Sequence, residues 1–236
     1  MTLLQNVFLA IFLCITAQLT AQIPGYMGKR LVFDAEFQFM PVISTSTSDP
    51  NSEVGNSFHT RYGLGVGYAL SRTQTLTAQL QYFRTGMSTD LLNKATNKRD
   101  YLFCKLSTIG LDVAYNVCRA SRGDIAPIGR QVGYHFYVLQ PSAKDDLYLS
   151  ASKGVDRNYD VDPKGILFGV GYSVTYNKVV HDKFRIKYGW QINIPFSWGS
   201  EYFPSGTEQE RFDNDLKYKF RYYNFLQFKV GFGLLN

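Results

Sequence analysis

Cysteine is scarce in this chain, with three in 236 residues. Cys14 falls in an apolar N-terminal run and lacks the small preceding residue of a lipoprotein site, because Leu13 stands there. Cys104 and Cys118 are fourteen residues apart on one expected strand, far beyond the reach of a single disulfide. That spacing excludes a disulfide scaffold. The three histidines, His59, His135 and His181, lie on separate segments, so neither a zinc cluster nor another metal site is expected. There is no phosphate loop, dinucleotide fingerprint, His-Glu-x-x-His pair or nucleophile elbow, and no cofactor is expected. Charge is not concentrated either: 25 Lys and Arg against 19 Asp and Glu leave a formal +6. The cations alternate along strands or scatter through loops instead of forming a duplex-binding stripe, which argues against nucleic acid as a partner.

Long hydrophobic runs are missing with one exception. From Met1 to about Ala21 no side chain is charged, and Val7 to Leu13 is wholly apolar. This reads as a secretory signal peptide over residues 1–21, with the α-amino group supplying the positive end. It is short for a stable membrane span. Residues 22–236 then form one domain.

What the chain does have is aromatics and glycine, with 17 Tyr, 18 Phe and 20 Gly, arranged with period two. In the first segment, Arg30 to Phe39, Leu31, Phe33, Ala35 and Phe37 alternate with Val32, Asp34, Glu36 and Gln38. A strand sends successive side chains to opposite faces, whereas a helix would set both acids among the aromatics. The pattern recurs over Phe58 to Ala69, Thr75 to Phe83, Ile109 to Val117, Gln131 to Leu139, Phe168 to Tyr176 and Phe184 to Asn193. It ends with the longest segment, where Tyr218, Phe220, Tyr222, Leu226, Phe228, Val230, Phe232 and Leu234 share one parity. Eight strands are predicted.

The gaps between segments alternate in length. Long ones fall near 45–57, 86–99, 142–163 and 198–214; short or moderate ones fall at 70–74, around Gly123 to Gly129, and at 177–183. In an antiparallel barrel this puts the long loops at one end and both termini at the other. Outer-membrane barrels have that asymmetry, with short periplasmic turns and long external loops. The two faces agree with it. One carries Tyr, Phe, Leu and Val; the other carries Gly, amides, hydroxyls and charges, including Gly63, Gly65, Gly67, Gly169, Gly171, Gly189, Gly231 and Gly233. Glycines fill a soluble core poorly, and so large an apolar exterior does not suit water. Lipid outside and a polar lumen inside resolve both. The predicted fold is therefore all-β, an eight-stranded antiparallel up-and-down transmembrane barrel. Tyr172, Tyr188, Trp190, Tyr218 and Tyr222 are candidates for its interfacial aromatic belts.

The opening Gln22-Ile-Pro-Gly-Tyr-Met-Gly-Lys-Arg30 and the closing Phe228, Val230, Phe232 and Leu234 around Gly231 carry a resemblance. The chain resembles the small outer-membrane β-barrel proteins of Bacteroidetes-type bacteria. The closing strand also resembles a barrel-assembly signal, though it ends in Asn236 where an aromatic is usual. The resemblance implies a place in the bacterial outer membrane and assistance from the β-barrel assembly machinery, but no activity.

Two groups of charge are singled out. Asp34, Glu36, Arg61, Asp112, Arg185, Lys187 and Lys229 share the inward parity and form a predicted lumen network, with Lys229 expected to contact Asp34 or Glu36. Lys217, Lys219 and Arg221 are placed at the outer rim, facing lipopolysaccharide or loop acids. Membrane lipid is the expected surroundings, and the long loops, with Tyr159, Asp160, Trp198, Tyr202 and Phe203, are the expected contact for a protein partner. An eight-strand lumen is just wide enough to fill with side chains, so a structural or accessory role is expected over a narrow solute channel. A lipid-modifying hydrolase is the remaining alternative. His59 is its candidate general base, but no serine partner stands out, so no catalytic residue is assigned.

Overall fold

Alternating sequences of this kind bury one face and expose the other, and a closed sheet leaves no edge within the wall. The computed structural model describes residues 25–43, 56–93, 98–119, 123–143, 148–150, 166–198, 220 and 224–236. Nine strands are described: β1 (Leu31–Ile43), β2 (Asn56–Ala69), β3 (Gln74–Asn93), β4 (Lys98–Cys118), β5 (Gly129–Ala143), β6 (Tyr148–Ser150), β7 (Leu167–Val180), β8 (Phe184–Trp198) and β9 (Leu226–Leu235). Eight of them form the wall, each antiparallel to its neighbours, and β9 pairs with β1 to close it. Leu31 and Asn236 exchange backbone hydrogen bonds at the seam. β6 is a short annex on the upper part of β4.

The expected eight-strand antiparallel barrel is thus present, with β6 and the end of β5 inside the expected 142–163 loop and three further corrections to its elements. Residues 86–93 and 98–99, expected in a long loop, belong instead to a β3–β4 hairpin paired as far as Asn93↔Lys98. Beyond an apolar belt both faces of a hairpin meet water, so strand pairing persists without alternation. β8 does not stop before Pro195 but runs on to Trp198, past a register shift opposite Phe168 and Gly169. A proline is tolerated at such an irregularity because it has no N–H to contribute to the ladder. The last strand begins only at Leu226, and Phe220, expected on the outer face, is wholly buried inside. The leader 1–21, Lys217, Lys219, Arg221, Tyr218, Tyr222, Tyr159, Asp160, Tyr202 and Phe203 lie outside the described residues.

Burial is inverted relative to a soluble protein. Arg61 is 1% exposed, and Glu36, Arg185 and Lys229 are each 2% exposed, while Leu64 is 70%, Leu80 60% and Phe232 56% exposed. Aromatic contacts run along the outer wall: Tyr134 with Tyr172, Tyr172 with Trp190, and Tyr176 with Tyr188, at centroid distances of 5.9, 6.0 and 5.3 Å. No helix among the described residues is long and apolar enough to cross a membrane.

Candidate functional site

Among the described residues, buried charged and polar side chains gather inside the barrel. At mid-height Glu36 of β1 receives Lys187 Nζ of β8 at 2.7 Å and Lys229 Nζ of β9 at 3.3 Å. Below them Asp34 receives Arg185 in a bidentate pair, and Arg185 also donates to the Pro127 carbonyl at 2.8 Å. Glycine makes both reaches possible. Glu36, Gly231 and Lys187 lie in one row across β1, β9 and β8, and Asp34, Gly233 and Arg185 lie in the next. The Glu36–Lys187 and Asp34–Arg185 pairs therefore each span an intervening strand through a position without a side chain. A Cβ at Gly233 would overlap Asp34 Oδ1 and lie 2.8 Å from the Arg185 side chain.

From Glu36 a chain of hydrogen bonds crosses the lumen. Gln38 donates to Glu36 at 2.6 Å and also lies 3.3 Å from Gln79 Oε1; Gln81 donates to Gln79 at 3.0 Å and to Asp112 at 3.3 Å. Both Asp112 oxygens lie 3.0 Å from His135 Nδ1, and His135 Nε2 lies 2.7 Å from Ser173 Oγ. Arg61 donates to Gln81 at 2.8 Å. Glu36 and Gln38, Arg61, Gln79 and Gln81, Asp112, His135, Ser173, Lys187 and Lys229 come from β1, β2, β3, β4, β5, β7, β8 and β9 respectively, so one connected network touches every wall strand.

Asp112, His135 and Ser173 have the order of a nucleophile relay: the acid orients the imidazole, and the imidazole faces the hydroxyl. Period-two parity in the sequence sets Asp112, His135 and Ser173 on the inward face, opposite the Leu111, Phe136 and Tyr172 column residues, but does not join them. Ala114 and Gly171 stand directly opposite His135, and Gly133 stands opposite Ser173. With small residues in those places, the three side chains meet diagonally. A Cβ at Gly133 would lie 2.5 Å from Ser173 Oγ. Substrate access is what the array lacks. Ser173 is 1% exposed, and the neighbouring cavity between Asp34, Asp112, His135, Lys187 and Lys229 has room for about one water. An ester or amide does not fit. His59, considered from sequence as a general base, stands higher on β2, opposite Met40.

Among the described residues, side chains reach into both ends of the lumen. Toward the long loops, Phe220 stacks on Phe83 at 6.0 Å, and the Arg61 guanidinium lies 4.3 Å over the Phe83 ring while also donating to Asn224 Oδ1. Asn224 in turn donates to the Phe220 carbonyl at 2.7 Å and accepts from Asn193 at 2.8 Å. Toward the short turns, the stretch from Gly123 to Ile128 folds beneath the wall. Its Ala126 is fully buried and donates its N–H to the Arg72 carbonyl at 2.8 Å. Among the network residues named from sequence, Glu36 is joined to Lys187 and Lys229, and Asp34 to Arg185. Asp112 meets His135, and Arg61 meets amides and an aromatic ring. The outer-rim group Lys217, Lys219 and Arg221 lies outside the described residues.

Comparison with known proteins gives the following. No protein-family model and no curated protein sequence matches the chain. Among solved structures it is similar to the N-terminal β-barrel domain of Pseudomonas aeruginosa OprF, at 11% identity and a TM-score of 0.39, over 88% of this chain and 98% of that one. It is also similar to Neisserial surface protein A (NspA), at 11% identity and a TM-score of 0.40, over 87% and 95%.

Proposed function

We propose that this protein is an integral β-barrel of a bacterial outer membrane, with a structural or accessory role and a partner-binding surface on its long loops. The observation that carries this reading is the pairing of an apolar exterior with a charged, close-filled interior on one closed wall. Such a surface is stable where lipid surrounds it. The filled lumen disfavours the channel alternative, and the enclosure of Ser173 disfavours the hydrolase. The opening Gln22–Arg30 is what supports a Bacteroidetes-type membership.

Two measurements test this reading. Purified protein reconstituted in planar bilayers should show no sustained conductance; large, reproducible steps abolished by lumen substitutions would replace the accessory role with a porin. Affinity purification from crosslinked outer membranes should recover a defined partner. Deleting residues 199–214 should release it while leaving the barrel folded, and a partner retained after that deletion would refute the assignment of that loop.

A further inference from the structure

The net positive charge of the chain has a place on the outer wall. Arg119 follows the outward column of β4 just below Val117, Arg130 begins the outward column of β5 below Val132 and Tyr134, and Lys178 sits on the outward face of β7 below Tyr176. All three are exposed. Arg119 follows Cys118 and Arg130 precedes Gln131, and Cys118↔Gln131 is the last β4–β5 pair, so the two arginines are the next residues out from it on adjacent strands. Arg130 in turn pairs with Tyr176, which makes Lys178 its diagonal neighbour. Like charges set opposite one another on adjacent strands repel, and none of these three makes an ion pair among the described residues. Lys29, Arg30, Arg72 and Lys183 add positive charge around the same rim. The side-chain carboxylates described there are Asp124 and Asp182.

The surroundings identify what could relieve the repulsion. Immediately above the cations lie the Tyr176–Tyr188 contact and then Tyr172 and Trp190, an amphipathic belt of the kind found at a membrane–water boundary. On the other side of Lys178, Val180 and Phe184 remain apolar and exposed. The cations are thus embedded in lipid-compatible surface, where their stems can lie on the wall and their heads can reach the headgroup layer.

We propose that Arg119, Arg130 and Lys178 bind the phosphate of an anionic phospholipid at the short-turn end of the barrel. The two guanidiniums offer paired N–H donors to the phosphate oxygens, Lys178 supplies a third charge, and the acyl chains run up the groove along Tyr176 and Trp190. This site rests on the membrane reading above, and its test separates the two.

Trp190 is the reporter, in a Trp198→Phe background that removes the second of the two tryptophans. The protein is reconstituted in phosphatidylcholine vesicles containing phosphatidylglycerol, with the bromine label on the acyl chains of one lipid or the other. Each cation beside an anionic lipid contributes on the order of a fivefold preference. At equal mole fraction, brominated phosphatidylglycerol should therefore quench Trp190 several-fold more than brominated phosphatidylcholine. The triple variant Arg119→Gln, Arg130→Gln, Lys178→Gln should bring the two lipids to near parity. Should that variant not fold, molar salt applied to the parent protein should erase the preference by screening. Parity in the parent protein, or a preference that survives both treatments, overturns the site while leaving the barrel in the membrane. Failure of the parent protein to insert, read as absence of a compact, heat-sensitive gel band, overturns the membrane reading and the site together.

Discussion

Glu36 has two lysine partners, and that redundancy predicts a specific departure from additivity. Replacing Lys229 with Met removes a charge whose side chain is 1% exposed, but Glu36 keeps Lys187 at 2.7 Å and Gln38 at 2.6 Å. Replacing Lys187 leaves Lys229 at 3.3 Å. Neither single change strands the carboxylate, so each should cost about 1–2 kcal/mol, less than the roughly 3–5 kcal/mol of breaking a buried pair outright. Replacing both strands Glu36, whose side chain is 0% exposed, and the double variant should lose about 2 kcal/mol more than the sum of the singles. Adding Glu36→Gln to that double variant should recover most of the excess. Glu36→Gln alone should be the most damaging single change, because it leaves two buried ammonium groups facing each other. Lys187, with a side chain 15% exposed, can hydrate in part; Lys229 cannot. Equilibrium urea unfolding in short-chain phosphatidylcholine vesicles, followed by tryptophan fluorescence, supplies the free energies. Additivity of the two lysine variants to within about 0.5 kcal/mol would refute the shared-carboxylate account.

Three further outcomes are expected. Gly233→Ala should destabilise the barrel by about 1–3 kcal/mol through overpacking, and more than Gly231→Ala, because a Cβ at 231 meets nothing closer than the Ala35 carbonyl at 3.1 Å; equal costs in the same unfolding assay would contradict the window role of Gly233. Ser173→Ala should cost about 1 kcal/mol for one lost hydrogen bond, and folded parent protein should not react with a fluorophosphonate probe; stoichiometric labelling at Ser173 would revive the hydrolase. Intact mass of membrane-fraction protein should show loss of the leader near Ala21, and a chain still starting at Met1 would exclude processing.

Strand identity and facing were legible because period-two patterning reports directly on a two-sided wall, whereas the long connection expected at 86–99 is mostly paired strand. Gln131 to Leu139 lies within β5 with Tyr134 and Phe136 facing out and His135 and Tyr137 facing in. The pattern failed where the wall ends. Above the belt nothing enforces alternation, so the β3–β4 extension had no signature, and the shared parity of Phe220 with Leu226 suggested continuity where the chain turns inward. In the lumen, parity identified the occupants but not their partners. Asp34 meets Arg185 instead of a residue on β9, its immediate neighbour, because Gly233 opens the row between them. Asp112, His135 and Ser173 meet along diagonals, and diagonals depend on register, which a sequence without known strand pairing does not specify.

The polar network that touches every wall strand also constrains how the barrel can be made. A single strand entering hydrocarbon would carry Asp112, Glu36 or Lys229 without its counterpart, and a lysine at the membrane midplane costs about 2–4 kcal/mol. Strand-by-strand insertion is therefore uphill at nearly every step, whereas a preformed ring of strands hides its charges before lipid surrounds it. Because Glu36 belongs to the first strand and Lys229 to the last, the circuit cannot close on a partial chain. A truncated product would hold an unmatched carboxylate and an open sheet edge, and so would remain accessible to proteases. Completeness of synthesis is in this way written into the interior electrostatics, because only the finished wall brings Glu36 and Lys229 together.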